Sequence, residues 1–152
     1  MIEVISENIL NAKEDIICHQ VNCQGVMGAG LAKELATNWS NVKTEYIKLC
    51  RRTKPENLLG TYQLVEIGEN RLVANIFGQY CYGSDRFHRY TDYAALTKAF
   101  DKLRTEHNSK SLAFPFGFGC GLANGEWNIV LDMLNTYFDG MSVQIYKFEV
   151  TT

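Results

Sequence analysis

Residues 16–35 read IICHQVNCQGVMGAGLAKEL, in which an apolar run leads into a glycine-rich turn and then into a helical pattern. The β-branched and apolar residues of 16–21 are typical of a buried strand. After the glycines, the apolar residues Leu31, Leu35 and Trp39 recur at the spacing of a helix. A strand, a glycine loop and a helix in this order predict a strand that joins its neighbour in parallel through the helix.

Residues 111–131, SLAFPFGFGCGLANGEWNIVL, have the same order of strand, glycine loop and helix. The rest of the chain predicts a first strand over 2–5 and a helix that is capped by Ser40 and closed by Pro55 and Gly60. A hairpin of 61–67 and 72–77 follows. We also expect helices over about 91–107 and 126–138 and a last strand over 141–150. This alternation predicts an α/β fold, namely a three-layer α/β/α sandwich with a central mixed sheet of about six strands. No repeat or linker divides the chain, so we expect residues 1–152 to form a single domain.

The composition is that of an ordinary globular protein. The chain has 152 residues, of which 46% are hydrophobic and 21% charged, with a formal net charge of −2. The uncharged runs 16–32 and 111–125 are shorter than the ~20 apolar residues that a membrane helix needs. Residues 1–10 carry glutamates and no basic residue, unlike an export signal. We therefore expect a cytoplasmic protein whose partners include no membrane and no unmodified nucleic acid.

The cysteines do not predict a metal site or a disulfide framework. Cys18, Cys23, Cys50, Cys81 and Cys120 are an odd number without a C-x-x-C pair, which is typical of reduced intracellular thiols. The only close group of possible ligands is Cys18, His19 and Cys23, spread along one strand and its loop. We expect no metal and no cofactor.

The two glycine loops are the part of the sequence best suited to bind an anion. Glycines let the backbone approach a phosphate closely, and a following helix directs free N–H groups and its dipole at the same point. Two such loops at the carboxyl ends of strands would enclose one phosphate-binding crevice, although glycines that only make tight turns are the alternative. Standard nucleotide motifs are absent: Lys33 follows Gly28 and Gly30 where a Rossmann fingerprint needs glycine, and no G-K-[ST], G-x-S-x-G or H-E-x-x-H string occurs.

One string in the first loop carries a family resemblance. It follows the pattern H-x-x-N-C-Q-G-x-x-G-x-G-[IL]-A and comprises His19, Asn22, Cys23, Gln24, Gly25, Gly28, Gly30, Leu31 and Ala32. This string resembles the ADP-ribose 1''-phosphate phosphatase branch of the macrodomains, which are α/β/α modules that bind ADP-ribose. The second loop, Gly119-Cys120-Gly121-Leu122 followed by Trp127, looks like the phosphate and distal-ribose loop of the same branch. The resemblance spans nearly the whole chain.

The resemblance implies that ADP-ribose or ADP-ribose 1''-phosphate is the small-molecule ligand and lies between the two loops. The implied binding residues are Asn22, Gly25, Val26, Met27, Gly28, Ala29, Gly30 and Leu31 in the first loop, and Pro115, Gly117, Phe118, Gly119, Cys120, Gly121 and Leu122 in the second. Where many macrodomains have an aspartate that accepts the adenine amino group, this chain has Asn8, whose amide oxygen can accept the same bond. Adenine is therefore expected near Asn8 and Ile9. Phe148 would cover the adenine, and a core position is its alternative.

Four residues are candidates for the reaction itself. Asn22 would hold the distal ribose or an attacking water, with an Asx turn as the alternative. Gln24 is implied by its family position alone. His19 lies in an apolar strand and could act as an acid or a base, or be a buried histidine bonded to a backbone carbonyl. Asp92 could act as a base or supply a negative charge at a helix N-terminus.

Further polar residues are weaker candidates. Arg86 or Arg89 could neutralise a terminal phosphate, although a solvated loop is the default for the segment 79–93. Cys23 and Cys120 flank the glycine loops, where a helix dipole would lower a thiol pKa. We expect both cysteines to be small packing residues.

The resemblance also limits the reaction. Related glycohydrolases that free ADP-ribose from acidic side chains use a lysine and an aspartate where this chain has Gln79 and either Ala123 or Asn124. This departure favours a phosphatase or plain binding, and we expect a metal-independent phosphatase that converts ADP-ribose 1''-phosphate to ADP-ribose and phosphate. The alternatives are a non-catalytic binder of ADP-ribose or a related signalling nucleotide, and a hydrolase that removes ADP-ribose from modified protein or nucleic acid.

Overall fold

The structure, a computed structural model, describes residues 2–148. Its strands are β1 (Glu3–Ser6), β2 (Ile16–Asn22), β3 (Tyr62–Gly68), β4 (Arg71–Gln79), β5 (Leu112–Pro115) and β6 (Val143–Lys147). Its helices are α1 (Gly30–Asn38), α2 (Ser40–Arg52), α3 (Pro55–Leu58), α4 (Tyr93–Glu106) and α5 (Trp127–Tyr137), with a short 3-10 helix at Ile9–Asn11. No helix in this part of the chain is long and apolar enough to cross a membrane.

The strands form one six-stranded sheet in the order β1-β6-β5-β2-β4-β3. Neighbouring strands run parallel throughout, except that β3 runs antiparallel to β4. The hairpin turns at Glu69 and Asn70, whose φ angles of 53° and 60° are the left-handed conformations of a tight two-residue hairpin. The predicted mixed sheet of six strands is confirmed.

Helices cover both faces of the sheet, as the three-layer prediction requires. On one face, Leu35 of α1 and Tyr46 of α2 pack in a core with Ile17 of β2. On the other face, helices α4 and α5 pack against Ile16 and Cys18 of the same strand. This second core includes the rings of Phe100, Phe114, Phe118 and Phe138, in which Phe100 and Phe114 each contact the other three. Side chains therefore alternate between the two cores along β2, which is why its sequence is an almost continuous apolar run.

Several element bounds differ from the sequence prediction. Ser40 is the first residue of α2 and not its cap, because the extended Trp39 occupies the cap position without a side-chain hydrogen bond. Pro55 does not close the helical stretch but begins α3, since its fixed φ and missing N–H suit the first turn of a helix. The last strand is shorter than predicted, and the end of its predicted range, 149–150, lies outside the described residues.

Candidate functional site

A cavity of about 660 Å³ opens at the carboxyl ends of β2, β4 and β5. Its lining consists of His19, Gln20, Val21, Asn22, Val26, Met27, Gly28, Ala29, Gly30, Leu31, Ala32, Gln79, Tyr82, Gly83, Ser84, Pro115, Phe116, Gly117, Phe118, Gly119, Gly121, Leu122 and Ala123. The two glycine loops, which are about 90 residues apart in the sequence, thus share one cavity. None of these residues carries a carboxylate, ammonium or guanidinium group, so an anion would meet neutral donors here, namely backbone N–H groups and uncharged side chains such as those of Tyr82 and Ser84.

The structure brings together most, but not all, of the predicted site. Lining the cavity are His19, Asn22, Val26, Met27, Gly28, Ala29, Gly30, Leu31, Pro115, Gly117, Phe118, Gly119, Gly121 and Leu122. Outside its lining are Asn8, Ile9, Gln24, Gly25, Asp92, Cys120 and Phe148. The sequence prediction also missed the lining residues that come from the segment after β4, namely Tyr82, Gly83 and Ser84.

The first glycine loop is shaped by the amide of Asn22. Its Oδ1 accepts hydrogen bonds from the backbone N–H of Gln24 at 2.9 Å and of Val26 at 3.5 Å, and its Nδ2 donates to the Val26 carbonyl at 2.7 Å. The buried Tyr46 hydroxyl lies 2.7 Å from the Asn22 carbonyl and 2.9 Å from Oδ1. Asn22 thus forms the Asx-type turn that was its alternative role, and it does so at the rim of the cavity.

Helix α1 begins directly at the cavity. Its cap residue, Ala29, supplies no side-chain acceptor, so the first N–H groups of the helix are free of a side-chain cap. Gly30 has a φ of 58°, a conformation that glycine adopts without strain. The positive end of the helix dipole and its free donors therefore face the space between the loops, as an anion site requires.

Gln24 is held outside the cavity. Its Nε2 donates to the Tyr80 carbonyl at 3.0 Å, so the side chain ties the first loop to the segment that follows β4. Its predicted catalytic role stays a prediction, and the structure gives the side chain a loop-anchoring contact instead.

The second glycine loop is held by a side chain from another part of the chain. Thr91 Oγ1 donates to the Gly119 carbonyl at 2.5 Å and accepts from Gln20 Nε2 at 2.9 Å. Gln20 Nε2 also donates to Gln79 Oε1 at 2.8 Å. Gln20 and Thr91 were missed from sequence because an amide in an apolar strand and a threonine before a helix carry no motif.

His19 is buried, with 2% of its surface exposed, and lines the cavity. Its Nε2 lies 2.5 Å from Oδ1 of Asn75, which is fully buried on the neighbouring strand. Burial lowers the pKa of His19 to about 4, and the hydrogen bond to Asn75 opposes this shift only in part. The ring is therefore neutral at pH 7, and its partner is a side-chain amide and not the backbone carbonyl considered from sequence.

Asp92 serves as the cap of α4. Its carboxylate accepts a hydrogen bond from the Ala95 N–H at 3.0 Å, and the residue lies outside the lining of the cavity. Of its two predicted roles, the structure shows the charge at a helix N-terminus. The predicted arginines also lie outside the lining: Arg86 stacks on the Phe87 ring and Arg89 on the Tyr93 ring.

The residues expected near adenine do not line the cavity. Asn8 Oδ1 already accepts a hydrogen bond from the Leu10 N–H at 3.0 Å, which caps the 3-10 helix. Ile9 is buried in the core on the α1 and α2 side. Phe148 is 59% exposed, so it is not a core residue, and its predicted stacking on adenine stays a prediction.

The cysteines next to the loops act as packing residues in this structure. Burial raises the pKa of Cys23 to about 12 and that of Cys120 to about 11. Cys18 and Cys23 belong to the cores on opposite faces of the sheet. Among residues 2–148, no group of three or more His, Cys, Asp or Glu side chains is placed to hold a metal ion.

Sequence comparison finds two relatives with a named activity. The chain is 30% identical over 113 residues to a protein of Saccharomyces cerevisiae (strain YJM789) named ADP-ribose 1''-phosphate phosphatase. It is 33% identical over 119 residues to a protein of Candida glabrata with the same name. Each alignment covers 72% of this chain but only 63% and 65% of the relatives, so the chain spans less than two thirds of their length. No model of a protein family matches the chain.

Solved structures share the fold over nearly the full chain. The macrodomain of Mycobacterium tuberculosis DarG has a TM-score of 0.77 at 23% identity, covering 99% of both chains. A protein from Bacteroides thetaiotaomicron has a TM-score of 0.84 at 22% identity, covering 97% of this chain and 99% of its own. Thermosipho africanus DarTG in complex with ADP-ribose has a TM-score of 0.75 at 21% identity, covering 95% of this chain and 40% of its own. The chain therefore has the fold of a solved macrodomain, and its sequence is similar to two proteins named ADP-ribose 1''-phosphate phosphatase.

Proposed function

We propose that this protein binds ADP-ribose 1''-phosphate in the cavity and hydrolyses it to ADP-ribose and phosphate. The observation that carries the proposal is the single cavity of about 660 Å³ whose lining includes both glycine loops. This volume falls within the range of roughly 300–1,000 Å³ that is usual for small-molecule pockets. A nucleotide with a diphosphate needs both an apolar wall and anion donors, and this lining supplies both.

The relatives support the proposal from two sides. Two sequence relatives are named for this phosphatase activity, and a protein of the same fold has been solved in complex with ADP-ribose. Because the chain spans less than two thirds of the length of those phosphatases, their activity and substrate are carried over here only as a proposal.

Binding would rest on the backbone. The diphosphate would lie against the first loop and the N-terminus of α1, and the distal ribose and its phosphate against the second loop. The absence of a carboxylate among the described lining residues means that no side chain there would repel the dianion. Such a site stabilises charge by fixed dipoles that need no reorganisation.

Hydrolysis would proceed by attack of water on phosphorus. The bond between phosphorus and the 1'' oxygen breaks, and that oxygen takes up a proton to give ADP-ribose. Among the described lining residues, His19 and Tyr82 have ionisable side chains, and burial lowers the pKa of His19 to about 4. We propose that the reaction needs no metal and proceeds in the cytoplasm.

A non-catalytic binder of ADP-ribose is the second candidate. One observation favours it: Asp92, which the sequence left open as a base or as a charge at a helix N-terminus, caps a helix outside the lining of the cavity. Hydrolysis of ADP-ribose from modified protein or nucleic acid would use the same cavity, and it is the third outcome that the experiment must separate.

The test is to incubate the purified protein with ADP-ribose 1''-phosphate, and separately with ADP-ribosylated protein and nucleic acid, and to follow phosphate and free ADP-ribose. We expect phosphate from the first substrate, undiminished by EDTA. Calorimetry with ADP-ribose should show binding. Binding without phosphate release would establish the binder, release of ADP-ribose from the modified macromolecules would establish the third function, and no heat at millimolar ADP-ribose would refute the proposal.

A further inference from the structure

Three side chains form a row across the sheet beneath the cavity. His19 on β2 is the register partner of Asn75 on β4, and Asn75 is the register partner of Gln63 on β3. His19 and Asn75 are buried, at 2% and 0% exposure, and only His19 reaches the lining of the cavity. Buried polar side chains in such a row must satisfy one another, because no water competes for their hydrogen bonds.

The direction of each hydrogen bond in the row follows from the contact between Gln63 and a backbone carbonyl. Gln63 Nε2 lies 3.0 Å from the Glu45 carbonyl oxygen, which can only accept, so the amide nitrogen faces that oxygen. Gln63 Oε1 therefore faces Asn75 and accepts from Asn75 Nδ2 at 3.1 Å. The remaining oxygen of Asn75, Oδ1, then faces His19 Nε2 and can only accept.

This order determines the tautomer of His19. Because Oδ1 of Asn75 accepts, Nε2 of His19 must carry the proton and donate it. In a neutral ring the other nitrogen, Nδ1, is then an acceptor. Nδ1 is buried and has no hydrogen-bond partner among residues 2–148. His19 lines the cavity, whereas its partner Asn75 does not.

We propose that Nδ1 of His19 accepts a hydrogen bond from an O–H group in the occupied cavity, and that Asn75 and Gln63 are positioning residues that hold the ring in this tautomer. The O–H group is either a hydroxyl of the bound ligand or the attacking water. The inference rests on the proposed function for the identity of the ligand, while the tautomer itself is a property of the protein without ligand.

The arrangement decides between the two roles that the sequence left open for His19. A neutral ring whose Nε2 proton is held by Asn75 has no proton to give into the cavity, so it cannot act there as an acid. It can orient an O–H group or take its proton. Asn75 and Gln63 would then influence turnover without touching the substrate.

The first experiment observes the tautomer directly by nitrogen NMR of the imidazole rings. The chain has only three histidines, His19, His88 and His107, so the signals that vanish in His19→Gln assign the His19 ring. We expect a protonated Nε2 and an unprotonated Nδ1 in the free protein, and a mixture of tautomers in Asn75→Leu. A wild-type ring protonated on Nδ1 would overturn the proposal, whatever the enzyme does.

The second experiment separates the role of Nδ1 from that of packing. His19→Gln places an amide N–H near the position of Nε2, so it keeps a donor for Asn75 but has no acceptor at Nδ1. If the O–H group is the attacking water, phosphate release should fall by roughly 100-fold with ADP-ribose affinity unchanged. If it is a ligand hydroxyl, ADP-ribose affinity should fall by roughly 10-fold. Unchanged turnover and unchanged affinity in a folded variant would refute the role of Nδ1.

The positioning role has a matched control. Gln63→Leu removes an amide whose Nε2 donates to a backbone carbonyl, and Gln144→Leu removes a similar amide on β6, where Nε2 donates to the Glu3 carbonyl at 2.8 Å. Only Gln63→Leu should shift the His19 tautomer and lower phosphate release, and equal effects would leave Gln63 a merely structural residue. The proposed function fails in a different way, through a wild-type protein that neither binds ADP-ribose nor releases phosphate.

Discussion

The two glycine loops have similar sequences but are held in place differently. The first loop is organised from within, since the amide of Asn22 bonds the backbone of Gln24 and Val26. The second loop is organised from outside, because Thr91 binds the Gly119 carbonyl and the N–H groups of Tyr90 and Thr91 donate to the Ala123 carbonyl. A side chain of the first loop thus bonds the backbone of that loop, whereas Tyr90 and Thr91 bond the second loop from a distant segment of the chain.

The helices that follow the two loops also differ in their position relative to the cavity. Residues Gly30, Leu31 and Ala32 of α1 line the cavity, whereas α5 begins at Trp127, outside the lining. The sequence prediction assigned a helix N-terminus to each loop as an anion site. Only the first loop has one at the cavity, so a shared strand–glycine–helix pattern does not imply a shared electrostatic role.

The segment between β4 and α4 connects the two loops. The Tyr80 carbonyl accepts from the Cys23 N–H at 3.1 Å and from Gln24 Nε2 at 3.0 Å on the first loop. Asn124 of the second loop donates through Nδ2 to the carbonyls of Asp85 and His88. A segment that the sequence suggested was a solvated loop therefore fixes the separation of the two walls of the cavity.

The largest expected effect distinguishes the loops by glycine substitution. At Gly28 a Cβ would meet no atom within 4 Å, so Gly28→Leu should fill the cavity, leave the melting temperature unchanged and weaken ADP-ribose binding by at least roughly 100-fold. At Gly119 the φ of 72° strains any side chain, and a Cβ would lie 3.0 Å from Gln20 Oε1. Gly119→Leu should therefore lose both affinity and stability.

These variants are compared by calorimetry with ADP-ribose and by thermal melting. If Gly28→Leu binds normally, the first loop does not contact the ligand. If Gly119→Leu has the melting temperature of the wild type, the second loop is less rigid than its contacts indicate.

The next effect concerns the Asn22 amide, which shapes the first loop. Asn22→Ala removes the acceptor of two backbone N–H groups and leaves the buried Tyr46 hydroxyl with one fewer partner. We expect the substitution to reduce the binding free energy of ADP-ribose by about 2 kcal/mol, because the loop is no longer held in its binding conformation. This loss corresponds to roughly 30-fold weaker binding, with a parallel loss of turnover. Calorimetry and phosphate release measure both. Loss of turnover with full affinity would show instead that Asn22 acts on the reaction and not on the loop.

A smaller effect is expected where the second loop is held. Thr91→Val keeps the side-chain shape but removes two hydrogen bonds, one to the Gly119 carbonyl and one from Gln20 Nε2. Loss of the bond to the second loop corresponds to roughly 5-fold weaker binding. Thr61→Val is the matched control, because its hydroxyl likewise donates to a backbone carbonyl, that of Leu58, outside the lining of the cavity. Equal affinities for the two variants would show that the second loop keeps its shape without Thr91.

Sequence reasoning reached the fold because the fold depends on periodic features. The alternation of strands and helices, the apolar run of Ile16–Asn22 and the turn at Glu69 and Asn70 are local signals that tertiary packing reinforces. The bound at Ser40 failed because cap and first-turn positions differ by a single residue, and the one at Pro55 failed because proline can begin a helix as well as follow one.

The site was harder to predict because its contacts join distant parts of the chain. Gln20 and Thr91 meet across 71 residues, and His19 and Asn75 across 56. A lone glutamine in an apolar strand or a threonine before a helix has no periodicity that predicts such a contact. Asp92 illustrates the opposite case: the sequence left open a base or a charge at a helix N-terminus, and the structure shows the local role, the cap of α4.

The smallest expected effect tests the capping role of Asp92, which directly follows Thr91, the residue that holds the second loop. Asp92→Ala removes the cap of α4 and should lower the free energy of unfolding by about 1 kcal/mol, while Asp92→Asn, which can also cap a helix, should restore most of that stability. Because the carboxylate lies outside the lining of the cavity, phosphate release should stay within about 2-fold of the wild type in both variants. Chemical denaturation and initial rates of phosphate release measure the two quantities. A stable Asp92→Asn protein with a loss of roughly 100-fold in rate would show that the carboxylate acts as the base after all.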